Sequence, residues 1–201
     1  MRKVDGAGRY NEVIDGCLEQ IKNDFMHPEV KALLESVAPD GSMLDGPEGR
    51  CVNPGHAIET SWFIMEEARH RGDSKLVDMA LEILDWSLDI GWDAEDGGVL
   101  YFVDVEGRPA MQYEHDMKLW WPHTEAIYAT LLAYCLSRDG KYLGWYERIR
   151  DYAYGHFPDE KFGEWFKYLH KDGSLSSGVK GNRWAGPFHL PRMQFNCYKL
   201  L

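Results

Sequence analysis

The chain has 201 residues, which is enough for one domain with a substantial core, and we expect a single domain over residues 1–201. Its 22 basic and 33 acidic residues give a formal net charge of −11, which disfavours binding to nucleic acids or anionic membranes. The longest nearly apolar stretch, 126–136, is about half as long as a membrane span. These features predict a soluble globular protein with neither nucleic-acid nor membrane partners.

The start of the chain and the cysteines predict the compartment. The first six residues, MRKVDG, are not followed by the apolar segment of a signal peptide. The four cysteines are far apart and contain no CxxC pair, so neither a disulfide framework nor a zinc cage is expected: Cys17, Cys51, Cys135 and Cys197. We therefore expect reduced thiols and a cytoplasmic location.

An internal repeat of about 66 residues organises the chain. Three turns that pair an acidic residue with glycine recur at this interval, at 40–41, 106–107 and 172–173. Three prolines follow at similar spacings: Pro54, Pro122 and Pro187. Asp93 and Gly97 are likewise offset by 66 residues from Asp159 and Gly163. Three coincidences in phase indicate a true repeat.

In chain order, the pattern predicts about six helices. They cover 9–25, 54–70, 74–90, 122–137, 141–156 and a last segment from residue 187. Proline is tolerated in a first helical turn, and Asn53 before Pro54 is a typical cap. Alternating runs at 99–103 and 164–169 predict strands of short β-hairpins between the repeats.

The helices fall into two kinds. Those led by proline are apolar around most of their circumference, whereas the helices that follow them carry a polar face. This contrast predicts an inner and an outer layer. We therefore expect an all-α protein of helical hairpins wound as a toroid.

Polar side chains gather near the starts of the inner helices: His56, Glu59, His123, Glu125, His189 and Arg192. If inner helices line a cavity, these groups meet at one mouth. A histidine at a helix start is biased toward its neutral form. Glu59 lies on the same helix face as His56, so we expect it to fix the imidazole tautomer and to leave His56 titrating near neutrality, as a general base requires.

Two other interpretations of these residues are a purely structural role and metal binding. A single histidine near a helix start is more often a packing residue, and Glu59 and Glu125 would both favour the helix dipole. The pair of His56 and Glu59 has metal-ligand spacing. No second pair such as HExxH or ExxH completes a ligand set, so we predict no metal.

Four segments resemble the N-acylglucosamine 2-epimerase family, which includes the renin-binding proteins. They are GRCVNPGHAIE at 49–59, MKLWWPHTEA at 117–126, GEWFKYL at 163–169 and KGNRWAGPFHLPR at 180–192. The resemblance runs from about residue 8 to residue 192. The segments around WWPH and PGHA are more similar to N-acetylglucosamine 2-epimerases than to cellobiose epimerases or aldose–ketose isomerases.

The resemblance implies an (α/α)6 barrel, of which about six helices are the C-terminal half. It implies interconversion of N-acetyl-D-glucosamine and N-acetyl-D-mannosamine, with no metal or other cofactor required and with ATP as a candidate allosteric activator. The catalytic histidines of the family fall on His56 and His189. Residues that bind or orient the sugar fall on Glu59, Trp121, Glu125 and Trp184.

Half of a toroid leaves the flanks of its inner helices uncovered, which predicts self-association or an N-terminal half-barrel partner. We expect weak or no activity from the isolated chain. Three alternatives remain open: a non-catalytic binding module of the same fold, a related aldose–ketose isomerase or cellobiose 2-epimerase, and a glycoside hydrolase. The last would need an exposed pair of carboxylates.

Overall fold

A computed structural model describes residues 8–201 of the chain, so the predicted lack of a signal peptide at residues 1–6 lies outside the described part. Those residues form seven helices. They are α1 Asn11–Gln20, which continues as a π-helical turn Ile21–Phe25, α2 Pro47–Arg50, α3 Pro54–Arg71, α4 Ser74–Gly91, α5 Trp120–Ser137, α6 Gly140–His156 and α7 His189–Leu200. The mainly helical class is therefore confirmed.

Short antiparallel strands join the helical pairs. They are β1 Met26–His27, β2 Ala32–Leu33, β3 Cys51–Val52, β4 Val103–Asp104, β5 Lys118–Leu119, β6 Tyr168–Leu169 and β7 Leu175–Ser177. β1 pairs with β2, β3 with β4, and β6 lies between β5 and β7.

The two predicted strands are shorter than their patterns indicate. Only residue 103 of the run 99–103, and residues 168–169 of the run 164–169, lie in paired strands. Val99 instead bridges to Trp92, while Leu100 bridges to Lys118. The first run crosses between two neighbours and does not follow one of them, so it forms no continuous ladder, and only Val99 of its five residues is fully buried.

Three inner helices lie side by side, with α5 between α3 and α7, while α4 packs on α3 and α6 on α5. Every residue of α5 from 120 to 133 is buried, because neighbours cover this helix on both flanks. This arrangement confirms the expected half of an (α/α)6 toroid. None of the helices in residues 8–201 combines the length and the apolarity that a bilayer crossing requires.

Proline marks the inner helices differently from the prediction. Pro54 is the first residue of α3, as expected, but Pro122 is the third residue of α5. Pro187 lies before α7, which begins at His189 and has Pro191 as its third residue. The first turn of a helix has no carbonyl partners for its N–H groups, so proline fits any of these positions and does not fix the helix start.

The repeat is visible in local geometry. Gly41, Gly107 and Gly173 all adopt left-handed backbone conformations, with φ of 81, 72 and 81°. The second repeated pair of residues also forms the same hydrogen bond in each unit. The N–H of Gly97 donates to the carbonyl of residue 93 at 3.0 Å, and that of Gly163 donates to the carbonyl of residue 159 at 2.8 Å. The 66-residue interval thus reproduces turns as well as sequence.

Candidate active site

A pocket of about 620 Å³ opens at the N-terminal ends of the three inner helices. The loops after α4 and α6 supply the rest of its wall. Its lining residues are His56, Tyr101, Glu114, Met117, Leu119, Trp120, Trp121, Tyr168, Trp184 and His189. Of the six polar side chains expected at one mouth, His56 and His189 are among these lining residues.

The two histidines that the sequence singled out meet in this pocket at the ring of Trp121. The centroid of that indole lies 5.1 Å from the His56 ring and 5.6 Å from the His189 ring. His56 is the third residue of α3, and His189 is the first of α7. The fold thus brings together two imidazoles that are far apart in sequence, as the predicted acid/base pairing requires.

His189 is held by a buried carboxylate. Its Nδ1 lies 2.7 Å from Oε1 of Glu125, whose side chain is 2% exposed. The indole N–H of Trp62 donates to the other oxygen of Glu125 at 2.8 Å. Because an ionised carboxylate only accepts hydrogen bonds, Nδ1 of His189 carries a hydrogen and its other nitrogen, Nε2, is left as the basic one.

Arg192 links Glu59 of α3 with Glu125 of α5. Its Nη2 donates to Oε1 of Glu59 at 2.5 Å and lies 2.8 Å from Oε1 of Glu125. The guanidinium also stacks over the Phe188 ring, 4.2 Å from its centroid. Arg192 thus reaches over from α7 and takes up the Glu59 carboxylate, which makes no hydrogen bond to His56, although its charge contributes to raising the pKa of that histidine.

The carboxylate that contacts His56 is Glu35, which sequence reasoning missed. Nδ1 of His56 lies 3.0 Å from Oε2 and 3.1 Å from Oε1 of Glu35. This hydrogen bond raises the pKa of His56 above its usual value, and burial only partly opposes it. The pKa of His56 therefore shifts in the direction opposite to the expected bias toward the neutral form.

His123, expected at the same mouth, lies in the core. It is fully buried, with Nδ1 at 2.6 Å from the carbonyl of Leu119 and Nε2 accepting from the backbone N–H of Val99 at 2.9 Å. Burial lowers its pKa to about 3. Trp121 and Glu125 are four residues apart and share a helix face, whereas His123, midway between them, points elsewhere. In the sequence, only this spacing along the helix indicated that His123 lies on a different face from Trp121 and Glu125.

The two predicted aromatic contacts differ in exposure. Trp121 is 8% exposed and forms the wall between the histidines. Trp184 also lines the pocket and is 75% exposed, with the Arg183 guanidinium over its ring at 5.3 Å from the centroid. An exposed indole stacks well on the C–H surface of a sugar. The predicted sugar-orienting role of both residues stays a prediction.

Glu59, Glu125 and His189 also bring their donor atoms within 4.8 Å of one another. The sequence search missed this group because its members come from three different helices. Arg192 contacts both carboxylates and places its positive charge between them. A divalent cation would have to displace that guanidinium, so the donor set fits an ion-pair network better than a metal.

Comparisons with known proteins agree with this architecture. Residues 3–189 match the family model described as N-acylglucosamine 2-epimerase (GlcNAc 2-epimerase). The N-acylglucosamine 2-epimerase of Bos taurus is 39% identical over 196 residues, which are 97% of this chain and 46% of that protein. The cellobiose 2-epimerase of Bacteroides fragilis is 31% identical over 159 residues, 75% of this chain and 37% of that protein.

A solved structure resembles the fold closely. The sugar epimerase from a ruminal bacterium superimposes with a TM-score of 0.82 at 20% identity, over 98% of this chain and 49% of that one. The chain spans about half the length of the curated relatives it matches, and it corresponds to their C-terminal half. It belongs to the N-acylglucosamine 2-epimerase family.

Proposed function

We propose that this chain provides the two proton-transfer groups of a sugar 2-epimerase, with His56 and His189 as the catalytic pair. One observation carries the proposal: both imidazoles line one pocket, and each has a carboxylate at Nδ1. Each ring therefore keeps Nε2 as the basic nitrogen. The two rings come from separate inner helices, as proton transfer at opposite faces of one carbon atom requires.

The chemistry needs this pair. Epimerisation at C2 of an open-chain sugar removes the proton next to the aldehyde and returns a proton to the opposite face. One imidazole acts as base while the other, protonated, acts as acid, and the roles exchange in the reverse direction. The negative charge passes to the carbonyl oxygen in an enediolate-like intermediate, which requires hydrogen-bond donors. The reaction itself requires neither a metal nor an organic cofactor, and ATP would act as an activator only.

The proposed substrates are N-acetyl-D-glucosamine and N-acetyl-D-mannosamine. Identity supports this choice: it is 36 to 39% to four mammalian N-acylglucosamine 2-epimerases, against 31% to a cellobiose 2-epimerase and 22% to a D-mannose isomerase. Trp121, Trp184, Glu59 and Glu125 would bind or orient the sugar. The four cysteines are free thiols, which fits the proposed cytoplasmic location.

The glycosidase alternative fits the pocket less well. Its reaction needs two carboxylates placed on either side of a glycosidic bond. Glu59 and Glu125 both bind Arg192, and Glu125 is buried behind His189. These contacts favour proton transfer by histidine over acid and nucleophile roles for the carboxylates.

We also propose that a second half-toroid covers the open flanks of α3 and α7, either a copy of this chain or an N-terminal half-barrel. Phe63 on α3 and Phe195 and Tyr198 on α7 are 51, 62 and 79% exposed. A groove of about 850 Å³ runs along α3, between Val13 on α1 and Asn196 on α7. Aromatic surface of this kind normally has a partner.

The decisive assay is exchange of the C2 proton of N-acetylmannosamine in deuterated water, with a chelator present. We expect weak or no exchange by the chain alone, and exchange when the N-terminal half of a full-length relative is added. Cellobiose and mannose, assayed in parallel, discriminate the related epimerase and isomerase activities. Cleavage of a glycoside would support the hydrolase, and no turnover with either preparation would support a binding module.

A further inference from the structure

Glu35 lies outside every helix and strand, yet its carboxylate contacts a pocket histidine. We propose that Glu35 is a positioning residue for His56: it keeps the hydrogen on Nδ1 and so presents Nε2 as the nitrogen that exchanges a proton with the substrate. The catalytic meaning of this inference rests on the proposed function. The contact itself belongs to the chain and can be measured without turnover.

The contact selects one tautomer of His56. Both oxygens of Glu35 lie within 3.1 Å of Nδ1, and an ionised carboxylate offers only acceptors. Nδ1 must therefore donate. Within residues 8–201, Nε2 of His56 makes no hydrogen bond to protein, so the lone pair of the neutral ring lies on that nitrogen.

Two backbone hydrogen bonds anchor the chain at Glu35. The N–H of Leu34 donates to the carbonyl of Phe25 at 3.0 Å, and Leu34 is 3% exposed. The N–H of Glu35 itself donates to the carbonyl of Cys51 at 3.4 Å, in the strand that leads into α3. The base of the glutamate is thus tied to the segment that carries His56.

The second histidine has the same arrangement. Nδ1 of His189 meets Glu125 at 2.7 Å, just as Nδ1 of His56 meets Glu35. The two carboxylates come from unrelated positions, a connecting segment and an inner helix. His27, outside the pocket, also meets a carboxylate through Nδ1, that of Glu29 at 2.7 Å, but its Nε2 is taken up by the carbonyl of Asp24 at 3.1 Å. Among the residues that the structure describes, no such second contact engages Nε2 of His56 or His189, which both line the pocket, and the proposed reaction needs that nitrogen free.

The charges around His56 set the direction of the effect. Glu35 hydrogen-bonds to the ring, and Glu59 is the other acidic group whose charge acts on it. Glu59 shares the guanidinium of Arg192 with Glu125 and makes no hydrogen bond to the ring. The hydrogen bond to Glu35 is the largest cause of the raised pKa of His56, so removal of the Glu35 charge should lower that pKa.

The test is NMR titration of the ¹⁵N-labelled imidazoles in the full chain, for wild type, Glu35→Gln and Glu35→Asp. We expect wild-type His56 to carry its hydrogen on Nδ1 and to titrate above 6.5. Glu35→Gln should lower the midpoint by about one pH unit, because the pair is partly exposed and partly screened. Glu35→Asp should retain part of the shift.

Two controls make the result specific. The His189 resonances should not change in Glu35→Gln, because Glu125 holds that ring. Glu82→Gln removes the same charge from an exposed position on α4 and should leave His56 unchanged. An unchanged His56 midpoint and tautomer in Glu35→Gln would overturn the proposal, as would an equal shift in Glu82→Gln.

The assembled enzyme separates this inference from the proposed function. In the C2 exchange assay, the acid limb of the pH–rate profile should move to lower pH in Glu35→Gln by the shift seen in the titration. A titration shift without exchange in any assembly would leave the tautomer contact standing and reject the epimerase. Exchange with an unmoved acid limb would reject the positioning role.

Discussion

In the pocket, each of the two imidazoles contacts its own carboxylate, and both imidazole rings contact the same indole. Trp121 touches both histidine rings, and Glu125 receives hydrogen bonds from Trp62 and His189 as well as the charge of Arg192. A buried carboxylate with this many partners is fixed in position. The orientation of His189 is therefore set by a cluster spread over three helices.

Arg192 is predicted to stabilise the fold as well as the pocket. Arg192→Met would leave the carboxylate of Glu125, 2% exposed, without its counter-charge. Loss of one partner of a buried pair is costly, so we expect the free energy of unfolding in urea at pH 7 to fall by about 3 kcal/mol. A loss below about 1 kcal/mol would contradict this network.

Arg150→Met is the matched control for that variant. Arg150 pairs with Asp151, and their side chains are 41 and 68% exposed. Exposed ion pairs contribute little, so we expect a change of about 0.5 kcal/mol or less. Equal losses in the two variants would mean that burial of Glu125 has no bearing on stability.

His123 is predicted to make stability depend on pH. Its folded-state pKa is lowered to about 3, so between that value and about 6.5 the unfolded chain binds a proton that the folded chain does not. Stability is full above pH 6.5 and falls as the pH drops. From pH 7 to pH 5 this contribution is about 2 kcal/mol.

The measurement is urea unfolding of wild type and His123→Gln at both pH values. The variant should lose about 2 kcal/mol less than wild type between pH 7 and pH 5, whatever its absolute stability. Identical pH dependence in the two proteins would show that His123 titrates normally in the folded state.

At the scale of elements, the helices were predictable where local signals suffice. Asn53 caps α3 by accepting from the N–H of His56 at 3.1 Å, and Gly72 ends that helix with φ of 68°. Arg138 ends α5 in the same conformation without being glycine, so only the neighbouring Asp139–Gly140 pair marked that end.

The site was predictable only in part. Helix starts and family motifs pointed to His56 and His189, because those signals are local. Glu35 lies 21 residues before His56 in a segment with no periodic pattern, and only tertiary contacts join the two. Arg192 stood at the right helix start, but its choice of Glu59 depends on the packing of α7.

We predict that the close contact between α3 and α5 depends on Gly55, which has no side chain. A Cβ at Gly55 would lie 2.6 Å from Cη2 of Trp121, in the helix opposite. Gly55→Ala should therefore force the two helices apart or tilt Trp121, and we expect it to lower the free energy of unfolding by about 2 kcal/mol. Urea denaturation measures this loss.

Gly144→Ala provides the opposite result on α6. A Cβ at Gly144 meets nothing within 4 Å, and the residue lies inside a helix. Alanine there should stabilise the protein by about 0.5 to 1 kcal/mol. A stabilising Gly55→Ala would show that α3 and α5 are not in close contact at the pocket.

At the scale of the whole molecule, the half-toroid has one inner helix that neighbours cover on both flanks and two that keep one flank uncovered. α5 is buried along residues 120–133, whereas α3 and α7 each expose aromatic side chains on one flank. The chain also covers 46% of its Bos taurus relative, so the flanks are where a second half would pack. We therefore propose that the activity belongs to that assembly.

We predict that the chain on its own associates in solution. Size-exclusion chromatography with light scattering should give a mass above that of the 23.2 kDa chain. Phe195→Glu with Tyr198→Glu should reduce association, because charge on the α7 flank opposes its burial. Phe162→Glu, at an exposed loop position away from that flank, is the control. A monomeric wild type would contradict the proposed covering of the flanks.

The most direct test of the central claim replaces each pocket histidine in the assembled protein and follows deuterium entry at C2 of N-acetylmannosamine. If the two imidazoles share the proton transfer, His56→Asn and His189→Asn should each slow turnover by about 100-fold or more, while the fold is retained. Turnover near the wild-type rate in either variant would contradict the account.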